Sequence, residues 1–189
     1  MASSDQRVYY DSSIWVACML PEDVFFEPCT AISQELEENG KIVIISHLAI
    51  METIHVIRKK IIGSIRQTED TERAKNTVMS KADTIVGEFI KYVSESQGRG
   101  NIEVILPTRT VADHHHRVYS KLCRYAGHAK YTTRRYRHVG LGHADIEHAF
   151  LASDARVHTF RSTDGCFADL EGDQDFSHMS FDILRPPKQ

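Results

Sequence analysis

The sequence predicts an α/β fold. Short β-branched runs alternate with stretches of helical spacing along the 189 residues, and residues 41–45 form a near-continuous β-branched run. Such a run suits a strand buried on both faces of a parallel sheet. A third observation is where acids fall. Asp11 and Asp164 stand just past strand-like runs, whereas Glu52 and Asp145 lie near helix starts. At 41% hydrophobic residues, the chain can bury one core and does not require two.

Composition narrows the class. The net charge of -3 argues against a uniformly basic nucleic-acid coat, and eleven histidines make the charge depend on pH. The cysteines, at 18, 29, 123 and 166, form no C-x-x-C pair, so neither a zinc ribbon nor a disulfide framework is expected. No apolar run approaches the roughly 18 to 20 residues that span a bilayer, and the start Met-Ala-Ser-Ser-Asp-Gln-Arg lacks a signal-peptide pattern. A soluble, cytoplasmic protein with reduced thiols is expected.

Residues 7–10 read as the first strand, followed by Asp11-Ser-Ser and a helix over 14–20. Asp11 thus sits at the carboxyl end of a strand, the edge where open α/β sheets bind ligands. Capping the next helix is the other common use of Asp-Ser-Ser. Pro21 breaks the pattern, Pro28 opens a helix, and Gly40 closes it after the acidic run 35–38, a solvated face. The strand 41–45 follows, with Ser46 as a cap. The next helix, 47–62, is apolar over most of its circumference, and Glu52, His55 and Lys59 share one flank. A carboxylate there needs compensation. Local pairing with His55 or Lys59 is one form of it.

Residues 68–97 carry an amphipathic stripe that includes Val78, Ala82, Val86, Phe89 and Val93, which reads as core or subunit interface. Gly98-Arg-Gly100 is a loop, and 102–106 a strand stopped by Pro107. Between 109 and 138, Arg109, Arg117, Lys121, Arg124, Lys130, Arg134, Arg135 and Arg137 face one acid, Asp113, a local charge of +7. Val111, His115, Val118 and Leu122 line up as an apolar stripe, with Arg117, Lys121 and Arg124 on another face. Four tyrosines are interleaved. Cations among aromatics suit a single-stranded nucleic-acid track, and a solvated helix and loop are the simpler alternative. The triplet 114–116 of histidines is a weak zinc candidate, because adjacent helical residues diverge. A helix opening near Asp145, a strand over 156–160 and a last strand over 182–184 complete the chain.

Four blocks in this order resemble the PIN domain, a group of metal-dependent ribonucleases that includes the VapC toxins. They are Tyr10-Asp11-Ser-Ser, Ser46-His-Leu-Ala-Ile-Met-Glu52, Gly142-His-Ala-Asp145-Ile-Glu-His-Ala-Phe-Leu-Ala and Ser162-Thr-Asp164-Gly-Cys-Phe167-Ala-Asp-Leu. The resemblance implies a single domain over 1–189: three α/β/α layers around a central, mainly parallel sheet of four or five strands. The segment at about 60–138 would be a helical elaboration longer than in compact toxins. It further implies that Asp11, Glu52, Asp145 and Asp164 form a catalytic, metal-binding pocket with Ser13 and Ser162 in support.

Carboxylates about 4 Å apart repel by about 4 kcal/mol at an effective dielectric near 20, so four of them need a cation. Oxygen ligands suit Mg²⁺ or Mn²⁺. The expected activity is hydrolysis of RNA phosphodiesters, of toxin or RNA-processing type. Arg117, Lys121, Arg124, Lys130, Arg134, Arg135 and Arg137 would bind the RNA. The expected partners are RNA, an antitoxin protein in the toxin case, and a second copy in a homodimer. The alternative is an inactive PIN-like scaffold that binds RNA or protein.

Overall fold

The computed structural model describes residues 7–63, 72–108, 111–125 and 141–187. In chain order its elements are β1 (Arg7–Tyr10), α1 (Ser12–Met19), α2 (Phe26–Glu38), β2 (Ile42–Ser46), α3 (His47–Gly63) and α4 (Glu72–Gly98). Then come β3 (Ile102–Ile105), α5 (Val111–Tyr125), α6 (His143–Asp154), β4 (Thr159–Ser162), two 3-10 turns (Gly165–Leu170 and Gln174–Phe176) and β5 (Ser180–Ile183). The five strands form one sheet in the order β3-β2-β1-β4-β5, and every pairing is parallel.

The α/β expectation holds, and the strands show why. Side chains alternate across a strand, so Val8, Tyr10, Val43 and Ile45 enter one core while Tyr9, Ile44 and Phe160 enter the other. Helices α1 to α4 cover the first face with Trp15, Ala49, Phe89 and Val93. α5, α6 and the 3-10 turns cover the second with Val118, Ala149, Phe150, Phe167 and Phe176. These are the three layers. A third apolar cluster joins α1, α3 and α4 through Val16, Leu20, Ile57, Ile61, Ala82 and Val86.

Element edges moved for local reasons. α1 begins at Ser12 rather than 14, because the Asp11 carboxylate caps it. Pro28 lies within the first turn of α2 instead of opening it. α6 ends in a left-handed residue, Arg156 (φ 55°), and the Val157 amide returns to the Ala152 carbonyl at 3.2 Å. That wrap keeps 156–158 out of the strand, so β4 runs over Thr159–Ser162 rather than 156–160. β5 occupies Ser180–Ile183 rather than 182–184.

In α5 the predicted apolar stripe is rotated: His114 is 3% exposed and His115 is exposed. The buried line runs through His114, Val118 and Lys121. Arg117 lies 3.9 Å over the Phe150 ring and pairs with Asp154 at 2.7 Å. Lys121 is 3% exposed, with its ammonium 2.6 Å from Asp173 and 2.5 Å from Asp175. The cationic heads therefore lie over aromatic rings, Arg117 on Phe150 and Lys121 near Phe176, while they also reach carboxylates.

Candidate metal centre

The carboxyl ends of β1, β2 and β4 meet at one edge of the sheet, and each delivers a polar side chain. Asp11 leaves β1 with its amide still paired to the Arg161 carbonyl at 3.0 Å, which holds its backbone against β4. Its side chain is 5% exposed. Oδ2 accepts from the hydroxyls of Ser13 and Ser162, both at 2.8 Å, and from the Ser13 amide at 3.5 Å. Asp11 is therefore both the cap of α1 and a fixed carboxylate of the site. Ser162 also accepts from the Asp164 amide at 2.9 Å, and Ser13 from the Thr163 amide at 3.0 Å. The two serines thereby lock the β4 exit loop to Asp11.

Glu52 arrives from α3, one turn and a half past Ser46. Its Oε2 accepts from the Ser12 hydroxyl at 2.9 Å and lies 2.8 Å from His148 Nε2. The local pairing with His55 or Lys59 is thus not the one formed, although His55 lies close enough for its charge to act on Glu52. Burial alone would raise the Glu52 pKa. The His148 hydrogen bond and charge, with the Ser12 hydroxyl, outweigh it and hold the carboxyl below its ordinary value.

His148, on α6, is the residue the sequence reading missed. It is 1% exposed, and its Nε2 also faces Asp11 Oδ1 at 3.7 Å. Its Nδ1 lies 2.6 Å from the Tyr9 hydroxyl, which in turn is 2.7 Å from Ser46 Oγ. Ser46 accepts from the Ala49 amide at 3.1 Å, so the ring is tied through Tyr9 to the cap of α3. Burial would lower the His148 pKa. The hydrogen bond to Glu52 and the charges of Asp11, Glu52 and Asp145 overcome that and raise it. A usable signal was present: His148 follows Asp145 by three residues and so shares its face of the helix.

Asp11, Glu52 and His148 offer one ligand atom each within 4.8 Å of one another. Asp145 and Asp164, expected as ligands, are not part of this trio; the charge of Asp145 acts on His148, and Asp11 and Asp164 act on Asp145. The Asp145 carboxylate turns back to accept from the Gly142 amide at 2.6 Å, at the start of α6. Its pKa is raised by burial, against the Gly142 bond, and further by the charges of Asp164 and Asp11. Asp164 is exposed and caps the first 3-10 turn through the Cys166 amide at 3.1 Å. Burial, followed by the charges of Asp145 and Asp164, keeps the Cys166 thiol protonated.

Of the residues expected to meet RNA, Arg117 and Lys121 are engaged within the fold as described above. Arg124 lies on α5, its side chain outside the described residues, as are Lys130, Arg134, Arg135 and Arg137.

The donor set fits a divalent cation. Two carboxylates supply hard oxygen ligands, and the imidazole, when its Nδ1–H donates to Tyr9, presents an Nε2 lone pair to the same space. A nitrogen ligand tilts the set from Mg²⁺ toward Mn²⁺ or a later transition metal, compared with carboxylates alone. No family model matches the chain, and no curated protein matches it.

Proposed function

We propose that the protein is a divalent-metal-dependent endoribonuclease of the PIN-domain kind. The observation that carries this reading is the convergence of Asp11, Glu52 and His148 within 4.8 Å at the carboxyl edge of a parallel sheet, with Asp145 coupled to them by charge. That edge is where such sheets build their ligand sites.

Asp11, Glu52 and His148 would hold a Mg²⁺ or Mn²⁺ ion, with Asp145 and Asp164 reaching it through water. When bound, the ion supplies a water of lowered pKa and charge that offsets the leaving oxygen. The residues of the chain do the rest. Ser13 and Ser162 keep Asp11 from rotating, and Ser12 does the same for Glu52. The Tyr9 hydroxyl fixes the plane of the imidazole. Asp145, whose pKa is raised, is suited to take a proton from the attacking water. Attack at phosphorus breaks the bond to the 3′ oxygen, leaving a 5′-phosphate and a 3′-hydroxyl.

The rival reading is a PIN-like scaffold that binds RNA or protein without cutting. Two carboxylates and an imidazole with ligand atoms within 4.8 Å of one another exceed what capping α1 requires, which favours the enzyme. The test is cleavage of end-labelled single-stranded RNA by the purified protein with millimolar Mn²⁺ or Mg²⁺. Cleavage that is lost in both Asp11→Asn and Asp145→Asn is expected. Equal cleavage by wild type and Asp145→Asn would mark a contaminant and remove the proposal.

A further inference from the structure

Next to the acidic centre lies a cleft of about 390 Å³ between α1, α3 and the turn that joins α1 to α2. Ser12 and Ser13 belong to both places. Their hydroxyls bond Glu52 and Asp11, and the same residues line one end of the cleft with Thr163. A ligand at that end of the cleft would therefore touch the serines that hold the two carboxylates.

The walls are apolar and the far end is charged. Val56 of α3 faces Val24 and Phe25 of the turn, and Val24 is 61% exposed although it is a large hydrophobic residue. Glu52, Val56 and Lys60 follow one another at intervals of four, so they form one line along α3 that leads from the carboxylates into the cleft. At the far end Lys60 donates to Asp23 Oδ2 at 2.6 Å, while Oδ1 of the same carboxylate accepts from the Phe25 amide at 3.0 Å. Asp23 is thereby fixed by the turn it caps. Lys60, paired with Asp23, is half exposed.

We infer that this cleft is the subsite for the nucleobase beside the scissile phosphate, with its edge read by Asp23 and Lys60. The inference rests on the ribonuclease reading and adds its specificity. The apolar side chains of Val56 and Phe25 that line the cleft suit the face of a flat ring. A carboxylate accepts from ring imino and amino groups, and an ammonium donates to a ring carbonyl. Guanine offers these together, with its carbonyl next to two donors. Adenine carries no carbonyl and fits least well.

The test reads binding rather than cleavage. The whole chain, isotopically labelled, is titrated with guanosine 5′-monophosphate, adenosine 5′-monophosphate and ribose 5-phosphate while the resonances of Val24, Phe25 and Val56 are followed. Guanosine monophosphate is expected to shift them at concentrations about tenfold below those adenosine monophosphate needs, and Asp23→Asn or Lys60→Ala to weaken it about tenfold, the loss of one charge-assisted hydrogen bond. Asp23→Asn keeps an acceptor for the Phe25 amide, and unchanged unfolding midpoints confirm that both variants fold.

No shift at about 10 mM mononucleotide, weaker than any specific site of this kind, overturns the subsite even if the protein cleaves RNA. Equal shifts with ribose 5-phosphate do the same, since the phosphate alone would then account for them. Cleft shifts in a protein that cleaves no RNA keep the subsite and remove the nuclease.

Discussion

His148 bridges both carboxylates and Tyr9, and its protonation makes the site's stability depend on pH. Its raised pKa means that, in metal-free protein, the imidazolium contributes stability fully present below its ordinary value of 6.5, lost as pH rises through the folded value. Glu52, with a lowered pKa, contributes above its ordinary value of 4.5 and loses that contribution as pH falls through the folded value. The pair is therefore most stabilising between these two values. His148→Gln should lower the unfolding midpoint more at about pH 6 than at about pH 9, in line with this linkage. Equal losses at both pH values would exclude the ion pair. An imidazole must be neutral to ligate a metal, so Mn²⁺ affinity of the wild type should rise as pH increases through the His148 pKa, and that rise should vanish in the variant. Titration calorimetry at several pH values measures it. Asp145 behaves in the opposite sense from Glu52. Its raised pKa means that ionisation costs stability, so Asp145→Asn should raise the midpoint of metal-free protein at neutral pH while abolishing RNA cleavage. Asp11, Glu52, Asp145 and Asp164 were all legible as acids near strand ends and helix starts. His148 was passed over despite its spacing from Asp145, because a histidine among Ala149, Phe150 and Leu151 looks like core until Tyr9 and Glu52 are seen on its two nitrogens.

α5 carries a lesson at the scale of the element. Its basic residues read as a nucleic-acid face because sequence counts charges without their partners. In the fold, Arg117 and Lys121 fasten α5 to α6 and to the second 3-10 turn through Asp154, Asp173 and Asp175, residues 37 to 54 positions away. Those separations hide the pairs from any local pattern. Lys121→Ala should cost about 3 kcal/mol, because it removes the buried ammonium that Asp173 and Asp175 share, 5.5 Å from the centre of the Phe176 ring, together with its stem. Lys121→Met, which keeps the stem, should cost less. Urea unfolding of the two variants separates charge from packing, and near-equal losses would assign the whole effect to charge. α3 was read more faithfully. Its start after Ser46 and the flank that bears Glu52 follow from capping and periodicity, both local properties.

For the whole molecule, the α/β class was legible because β2 and β1 bury both faces, and only a parallel sheet with helices on either side asks that of a strand. The order β3-β2-β1-β4-β5 was not. It depends on which strands pair across more than a hundred residues, and no local preference encodes that. The sheet also predicts how a ligand acts on the whole. An ion bound only by the folded chain at 100 times its dissociation constant adds about 2.7 kcal/mol. Millimolar Mn²⁺ should therefore raise the unfolding midpoint by several degrees, about what this increment yields for a chain of this size. Asp11→Asn should abolish the shift. A shift retained in the variant would move the ion to another site.

The bond from Ser162 to Asp11 spans 151 positions, and the pairing of Glu52 with His148 spans 96. Both need residues from the last third of the chain, so during synthesis from the N-terminus the first half holds two of the site's acids, Asp11 and Glu52, without His148 or Ser162. Contacts this distant form late. A growing chain therefore brings Asp11, Glu52 and His148 together only after most of its length has been made.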